Sequence, residues 1–170
     1  MANSFDNTLS SSIMHWPSWL HGIMLTSTNI GQPAAMILLA GVIALGTWQH
    51  NRRITYSMAA AVLAMGINGL LKEIIHRPRP DTAYAHMFHS GSFPSGHAFG
   101  VTIVGGLLAY VALKYLPTVW GRSIAVFLAL FILLVGLSRL YLGAHYPTDV
   151  FAGWLLGGLS VVAIVKWVKP

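Results

Sequence analysis

The chain has 170 residues, of which 55% are hydrophobic and only 8% charged, with ten Lys and Arg, four Asp and Glu and no Cys. Soluble domains carry about 25% charged residues, so this is the composition of an integral membrane protein, and residues 1–170 are expected to form one domain. Disulfides and thiolate metal sites are excluded. Nucleic-acid binding is excluded too, because the formal charge of +6 is scattered over segment ends rather than gathered in a basic stripe with aromatic platforms.

In chain order, residues 1–32 contain no Lys or Arg, so the charged start of a secretory signal peptide is missing. In residues 10–28, Ile13, Trp16, Trp19, Leu20, Ile23, Met24 and Leu25 recur at roughly helical spacing among Ser, His, Pro and Thr. That pattern predicts a Trp-anchored amphipathic helix lying in the membrane interface. The rival is an additional spanning helix, which Pro17 and two histidines disfavour. A bilayer core of about 30 Å needs roughly 20 apolar residues as a helix. Five stretches answer to this, at about 33–48, 54–75, 97–115, 123–142 and 147–168, the first slightly short. The expected fold is all-α, an integral membrane helical bundle of five transmembrane helices plus an N-terminal interfacial amphipathic helix. The loop at 77–94 contains Pro78, Pro80, Gly91 and Pro94 and is not helical. Gly153, Gly157 and Gly158 give the last span small-residue spacing, read as packing within the chain rather than as a dimer face.

Loops alternate sides in a five-span chain. Arg52, Arg53, Lys114, Arg122, Lys166 and Lys169 then share one side, and Lys72, Arg77, Arg79 and Arg139 the other. The first set has no visible chemistry and sets topology, so it faces the cytoplasm, as does the C-terminus. The second set, with the charge-poor N-terminus, faces outward.

All of the outward set except Arg77 belongs to three polar clusters at the edges of apolar runs. Lys72 and Arg79-Pro80 form the first, with Arg79 pinned between Pro78 and Pro80. A guanidinium fork suits phosphate oxygens, although this pair taken alone also describes cations snorkelling to headgroups. In Pro94-Ser95-Gly96-His97, Ser95 caps the third span, Gly96 permits close backbone approach, and the first amides of a helix bind anions. His97 beside such an anion can donate a proton near neutral pH, or be an ordinary interfacial histidine. In the third cluster Arg139 ends the fourth span, Pro147 opens the fifth, and Asp149 in its first turn reaches back toward His145. That bond would fix one imidazole tautomer and leave the other nitrogen free to attack. His15, His21, His50, His76, His86 and His89 read as interfacial or loop residues. No metal is expected: no two histidines form a His-x-x-x-His pair on a helix, carboxylates are few, and three cations would repel a metal.

Lys72-x6-Arg79-Pro80, Pro94-Ser95-Gly96-His97 and Ser138-Arg139-x5-His145-x3-Asp149 together resemble, in order, the three signatures of the type 2 phosphatidic acid phosphatase family. That family includes vanadium haloperoxidases and bacterial undecaprenyl pyrophosphate phosphatases. The resemblance implies that His145 attacks phosphorus to form a phosphohistidine, that Asp149 orients it, and that His97 protonates the leaving oxygen. It implies that Lys72, Arg79, Ser95, Gly96 and Arg139 hold the phosphoryl oxygens and that no cofactor or metal takes part. Many membrane members have six spans, one more than is counted here.

The expected partners are therefore the bilayer and a lipid phosphate entering sideways. Candidates are undecaprenyl pyrophosphate, phosphatidylglycerophosphate, phosphatidic acid and diacylglycerol pyrophosphate. The alternatives are a lipid phosphotransferase using the same pocket and a non-enzymatic membrane transporter. A transporter would carry its charge through several spans at midplane, whereas this chain carries it at one edge.

Overall fold

The computed structural model describes residues 3–168, which are helical with no strand among them. Seven helices follow one another: α1 (Ser4–Met14), α2 (His21–Ile30), α3 (Pro33–Thr47), α4 (Arg52–Ile75), α5 (Gly96–Tyr115), α6 (Thr118–Tyr141) and α7 (Pro147–Trp167). Lys169, assigned above to the cytoplasmic set, lies outside the described residues.

The helix ends have local causes. Asn3 caps α1 by accepting from the Asp6 amide at 2.7 Å. Trp16 precedes Pro17, a position that disfavours helix, so the segment expected as one helix over 10–28 is divided into α1 and α2. Pro33 opens α3 and Pro147 opens α7 at the first helical position, where the missing N–H costs nothing. Asn51 caps α4 through the Ile54 amide at 3.2 Å. At the far end of α4, His76 adopts left-handed backbone (φ +48°), and Pro78 and Pro80 prevent further helix. The helix α6 starts right after Pro117, five positions before the expected Ser123. Arg122 interrupts the apolar run but not the helix, because its side chain is exposed at the bundle end.

Four helices, α4 to α7, are long and apolar enough to cross a membrane. The 15-residue α3 covers about 22 Å and cannot cross alone. A fifth crossing requires Ser18–Ile30 and Pro33–Thr47 to act as one span bent by 46°. The helix α2 runs along the outer turns of α6, with His21 beside Tyr141 and Gly31 tight against Val135.

The core surrounds α5. Its Phe99, Val101, Ile103, Val104 and Leu107 pack against Met36 and Ala40 of α3, Met58 and Ala61 of α4, and Val135 of α6. The outer faces carry exposed Leu63, Ile67 and Leu70 on α4, Phe127 and Leu130 on α6, and Leu155 and Leu159 on α7. Such surface is costly in water and matched to hydrocarbon. A Cβ on Gly153 would lie 2.8 Å from the Ser95 carbonyl, and one on Gly157 would lie 2.8 Å from Thr102. The predicted small-residue packing is thus α7 against α5 within the chain, while Gly158 faces open space.

The two bundle ends differ. At one end Arg52 lies over Trp48, Lys114 over Tyr110, and Arg53 donates to the Val165 carbonyl at 3.3 Å. The other end gathers α1, the start of α2, the 76–95 loop and the 142–146 turn.

Candidate active site

The second end contains a cavity of about 400 Å³ that brings together Lys72, Arg79, Gly96, His97, Arg139 and His145. These residues come from the last turn of α4, the following loop, the first turn of α5, the last turn of α6 and the turn before α7. Asn29, Gln32, Pro33 and Ala34 of the α2–α3 junction close one side, and Tyr84 and Phe88 of the loop another. No carboxylate is among the lining residues.

Each cation is held by its stem or by part of its head. Lys72 Nζ donates to the carbonyls of Gly91 (3.0 Å) and Ser92 (3.4 Å). Arg79 Nε donates to Ser90 O at 2.9 Å and Nη1 to Ala144 O at 3.0 Å, so one guanidinium ties the loop to the turn before α7. Burial and the neighbouring Arg139 push the Arg79 guanidinium down to about 10, which leaves it a cation at neutral pH. Arg139 is fully buried. Its Nη1 donates to Thr28 Oγ1 at 2.6 Å and approaches Tyr84 OH at 3.5 Å, and its guanidinium carbon lies 5.4 Å from the Tyr84 ring and 5.2 Å from the Phe88 ring. Its Nε and Nη2 have no protein partner. A buried guanidinium with two unmatched donors is unfavourable unless an anion completes it.

His145 is 2% exposed. Its Nε2 lies 3.2 Å from Arg79 Nη1. Arginine only donates, so Nε2 accepts, and the ring proton of the neutral form sits on Nδ1. Nδ1 faces Asp149 Oδ2 at 3.5 Å. This is longer than a good hydrogen bond, so the bond expected from the four-residue spacing is an open contact. Asp149 Oδ2 is already occupied by the Tyr146 amide at 2.9 Å, and such contacts tighten when substrate is bound. Burial, then the charges of Arg139, Lys72 and Arg79, hold the His145 imidazole well below its usual range, so it is neutral at pH 7.

Ser95 and Asp149 are the predicted site residues that do not line the cavity. Ser95 is fully buried and caps α5, its Oγ facing the Ala98 amide at 3.5 Å. Asp149 is fully buried behind His145. His97 lines the cavity from the first turn of α5. The six remaining histidines, His15, His21, His50, His76, His86 and His89, are all exposed.

The structure adds residues that the sequence did not mark. Thr28 and Tyr84 hold Arg139. Arg77 donates to Asp149 Oδ1 through Nη1 and to Asp6 Oδ2 through Nη2, the latter at 2.7 Å. Asp6 also accepts from the Thr148 amide at 3.0 Å. Burial of Asp6 favours its neutral form, but the Thr148 and Arg77 hydrogen bonds outweigh it and lower its titration. The same two carboxylates outweigh burial at Arg77 and raise it. The signal that could have found this trio is scarcity: Asp6 and Asp149 are two of only four acidic residues in a chain built for a membrane.

A family model of the PAP2 superfamily matches residues 52–170, which contain all three polar clusters. Over 170 aligned positions the chain is 34% identical to phosphatidylglycerophosphatase B of Bacillus subtilis (strain 168), covering 96% of this chain and 82% of that protein. It is 30% identical over 160 positions to the undecaprenyl-diphosphatase BcrC of the same strain, covering 90% and 75%. Among solved structures, the fold matches a transmembrane PAP2 type phosphatidylglycerolphosphate phosphatase from Bacillus subtilis with a TM-score of 0.84 at 29% identity, covering 95% of this chain and 83% of that one. Aquifex aeolicus LpxE shares the fold, with a TM-score of 0.74 at 22% identity over 97% of both chains. With six signature residues lining one cavity, Ser95 and Asp149 buried behind them, and the match running through all of them, the chain belongs to the PAP2 superfamily and is a membrane phosphatase that hydrolyses phosphoric esters.

Proposed function

We propose that the chain removes phosphate from a lipid phosphate or diphosphate through a phosphohistidine on His145, without a metal. The observation that carries this is one cavity, lined by cations and no carboxylate, that holds both His145, whose Nε2 accepts from Arg79 Nη1, and Arg139 with two unmatched nitrogens. A phosphoryl group placed on Arg139, Arg79, Lys72 and the first amides of α5 has its charge met on several sides, and charge stabilisation is most of what phosphoryl transfer requires.

In the first step His145 Nε2 attacks phosphorus and the bond to the lipid oxygen breaks. His97 gives its proton to that oxygen, and Asp149 takes up the charge developing on the Nδ1–H side. In the second step water loses a proton to His97 and attacks phosphorus. Inorganic phosphate leaves and His145 is restored. Ser95 acts by fixing the start of α5, and Gly96 by leaving room for the phosphate against the backbone. A divalent ion in the same place would meet Lys72, Arg79 and Arg139 and no anionic ligand.

The bent pair of α2 and α3 serves as the first of five crossings, with α1 at the interface. Arg52, Arg53, Lys114, Arg122 and Lys166 lie at the end opposite the cavity, which supports a cytoplasmic placement for them and an extracytoplasmic cavity. The substrate belongs to the group that includes undecaprenyl pyrophosphate, phosphatidylglycerophosphate, phosphatidic acid and diacylglycerol pyrophosphate. Its chain lies among the spans and its phosphate in the cavity.

The test is phosphate release from these four lipids by purified protein in detergent with EDTA present. At least one is hydrolysed with EDTA, and His145→Ala abolishes release while keeping the wild-type unfolding temperature. Undiminished release by His145→Ala, or wild-type activity that disappears in EDTA and returns with a divalent ion, refutes the mechanism.

A further inference from the structure

The N-terminal helix reaches the catalytic carboxylate. Asp6 lies outside residues 52–170, which carry the family match, and it is 1% exposed although it belongs to a surface helix. The Arg77 fork is divided: Nη2 binds Asp6 and Nη1 binds Asp149 Oδ1. Thr148 locks the arrangement, because its hydroxyl accepts from Arg77 Nη1 at 2.8 Å and donates to Asp6. The Tyr146 ring covers the guanidinium at 4.6 Å. Arg77 does not line the catalytic cavity, so it does not serve the phosphate directly.

Resting on the mechanism proposed above, we infer that Asp6 is a positioning residue for catalysis: by holding one half of the Arg77 fork it keeps Asp149 aimed at, and charged toward, His145.

One cation shared by two carboxylates leaves the trio with net negative charge, and that charge falls on the side facing Nδ1 of His145. With Asp6 engaged, Arg77 can reach only Oδ1 of Asp149, so Oδ2 stays with the Tyr146 amide and His145. Without the Asp6 charge, Arg77 is free to take Asp149 with both nitrogens, the geometry a guanidinium prefers with a carboxylate. Asp149 would then be neutralised and turned from His145. No other carboxylate contacts the trio among the described residues: Asp81 pairs with His86 on the exposed loop, and Glu73 is exposed on α4.

The test uses the full chain in detergent and the lipid of the four above that the wild type turns over fastest. Asp6→Asn keeps the shape and the acceptor for the Thr148 amide but removes the charge. We expect kcat to fall about tenfold, the size of a lost charge contact in a partly buried site. KM and inhibition by inorganic phosphate stay within about twofold, because the cavity itself is untouched. Asp6→Glu, which restores the charge, recovers most of the loss. In an Arg77→Gln background Asp6→Asn has no further effect, because its route to Asp149 is gone. Wild-type kcat in Asp6→Asn overturns the inference. So does an equal loss in Asp6→Asn and Asp6→Glu with a lowered unfolding temperature, which marks α1 as merely structural. Run in parallel, His145→Ala separates the failures: if it retains turnover the mechanism falls and the inference with it, whereas if it is inactive and Asp6→Asn is normal, the inference alone falls.

Discussion

Replacing Arg139 by Met should weaken catalysis while leaving the substrate-free protein close to wild-type stability or above it. The side chain is fully buried, so its shape matters, and Met preserves length and apolar bulk. In the wild type, Nε and Nη2 have no partner, and each unmatched buried donor costs about 1–3 kcal/mol. Met removes both penalties. It also removes the charged bond to Thr28, worth about 1.5–3 kcal/mol, and the long contact to Tyr84 at 3.5 Å, worth less. The balance runs from about 1 kcal/mol against the variant to about 4 kcal/mol in its favour. In the proposed mechanism the same two nitrogens would make charge-assisted bonds to phosphoryl oxygens, together about 3–6 kcal/mol. Their loss lowers kcat/KM by about 10²–10⁴-fold. The assay pairs thermal unfolding with turnover. Inorganic phosphate at about a hundred times its Kd should raise wild-type stability by about 2.7 kcal/mol and leave the variant unchanged. A variant that unfolds at clearly lower temperature in phosphate-free buffer, yet retains kcat/KM within a few fold, would refute the claim that Arg139 is held in an unfavourable free state for the sake of the anion.

Two further outcomes are expected from the same preparation. Because folded His145 titrates well below the unfolded imidazole, the unfolded chain binds a proton that the native one refuses as pH falls below about 6.5. Stability is full above that value and drops by up to about 1.4 kcal/mol per pH unit below it, until the folded group itself titrates. Asp6, lowered in the native state, adds a second loss only below its ordinary value of 3.8. The unfolding temperature should therefore decline between pH 6.5 and 5 in the wild type and decline less in His145→Gln, and parallel curves would count against a neutral buried His145. At Gly153 an added side chain meets the Ser95 carbonyl at 2.8 Å and Ala98 Cβ at 2.9 Å, atoms that cannot yield without moving the start of α5. Gly153→Val should cost about 1–3 kcal/mol and much of kcat, whereas Gly158→Ala, facing open space, should change neither. Equal unfolding temperatures for the two variants would contradict the close approach of α7 to α5.

What could be read in advance follows a physical divide. Pro147 marks the start of α7 because a proline fits the first turn of a helix. Where a helix outran its apolar stretch, as α6 does around Arg122, hydropathy misplaced the boundary by five residues. Pro17 was weighed against a spanning helix but not as a break, so α1 and α2 were merged. Lys72, Arg79, His97, Arg139 and His145 were legible because a polar side chain beside hydrocarbon needs a reason. Alternation of the spans predicts that they share one face, and the structure gathers them around one cavity. Asp6, Arg77 and Thr148 were not legible, because their contacts span 71 and 142 positions and depend on where α1 docks, which no local pattern encodes. Nor could a four-residue spacing reveal that Asp149 Oδ2 is occupied by the Tyr146 amide and stands 3.5 Å from His145.

The distribution of charge around His145 explains why the site can be selective for an anion and still contain a carboxylate. A lone Asp149 beside Lys72, Arg79 and Arg139 would be drawn to one of them and would cancel part of the field that binds phosphate. Here Asp149 has its own cation: Arg77 takes Oδ1 from behind, outside the cavity, and is itself divided by Asp6. The negative charge is thus confined to the side of His145 facing Nδ1, and the positive charge to the side facing Nε2. A neutral imidazole in such a gradient keeps its proton on Nδ1 and turns the lone pair of Nε2 toward Arg79. In the proposed mechanism, electron density moving from Nε2 to phosphorus would leave positive charge on the ring where the carboxylate could meet it, while the transferred group stayed among the cations. The polarity would fail if either set were incomplete. Arg77→Gln would release Asp149 toward Arg79, and Arg79→Gln would free Nε2 of its donor while reducing the hold on phosphate. The first substitution should therefore lower kcat with little change in KM, and the second should raise KM as well. Identical effects of the two on both constants would show that the charges act as one undifferentiated cluster.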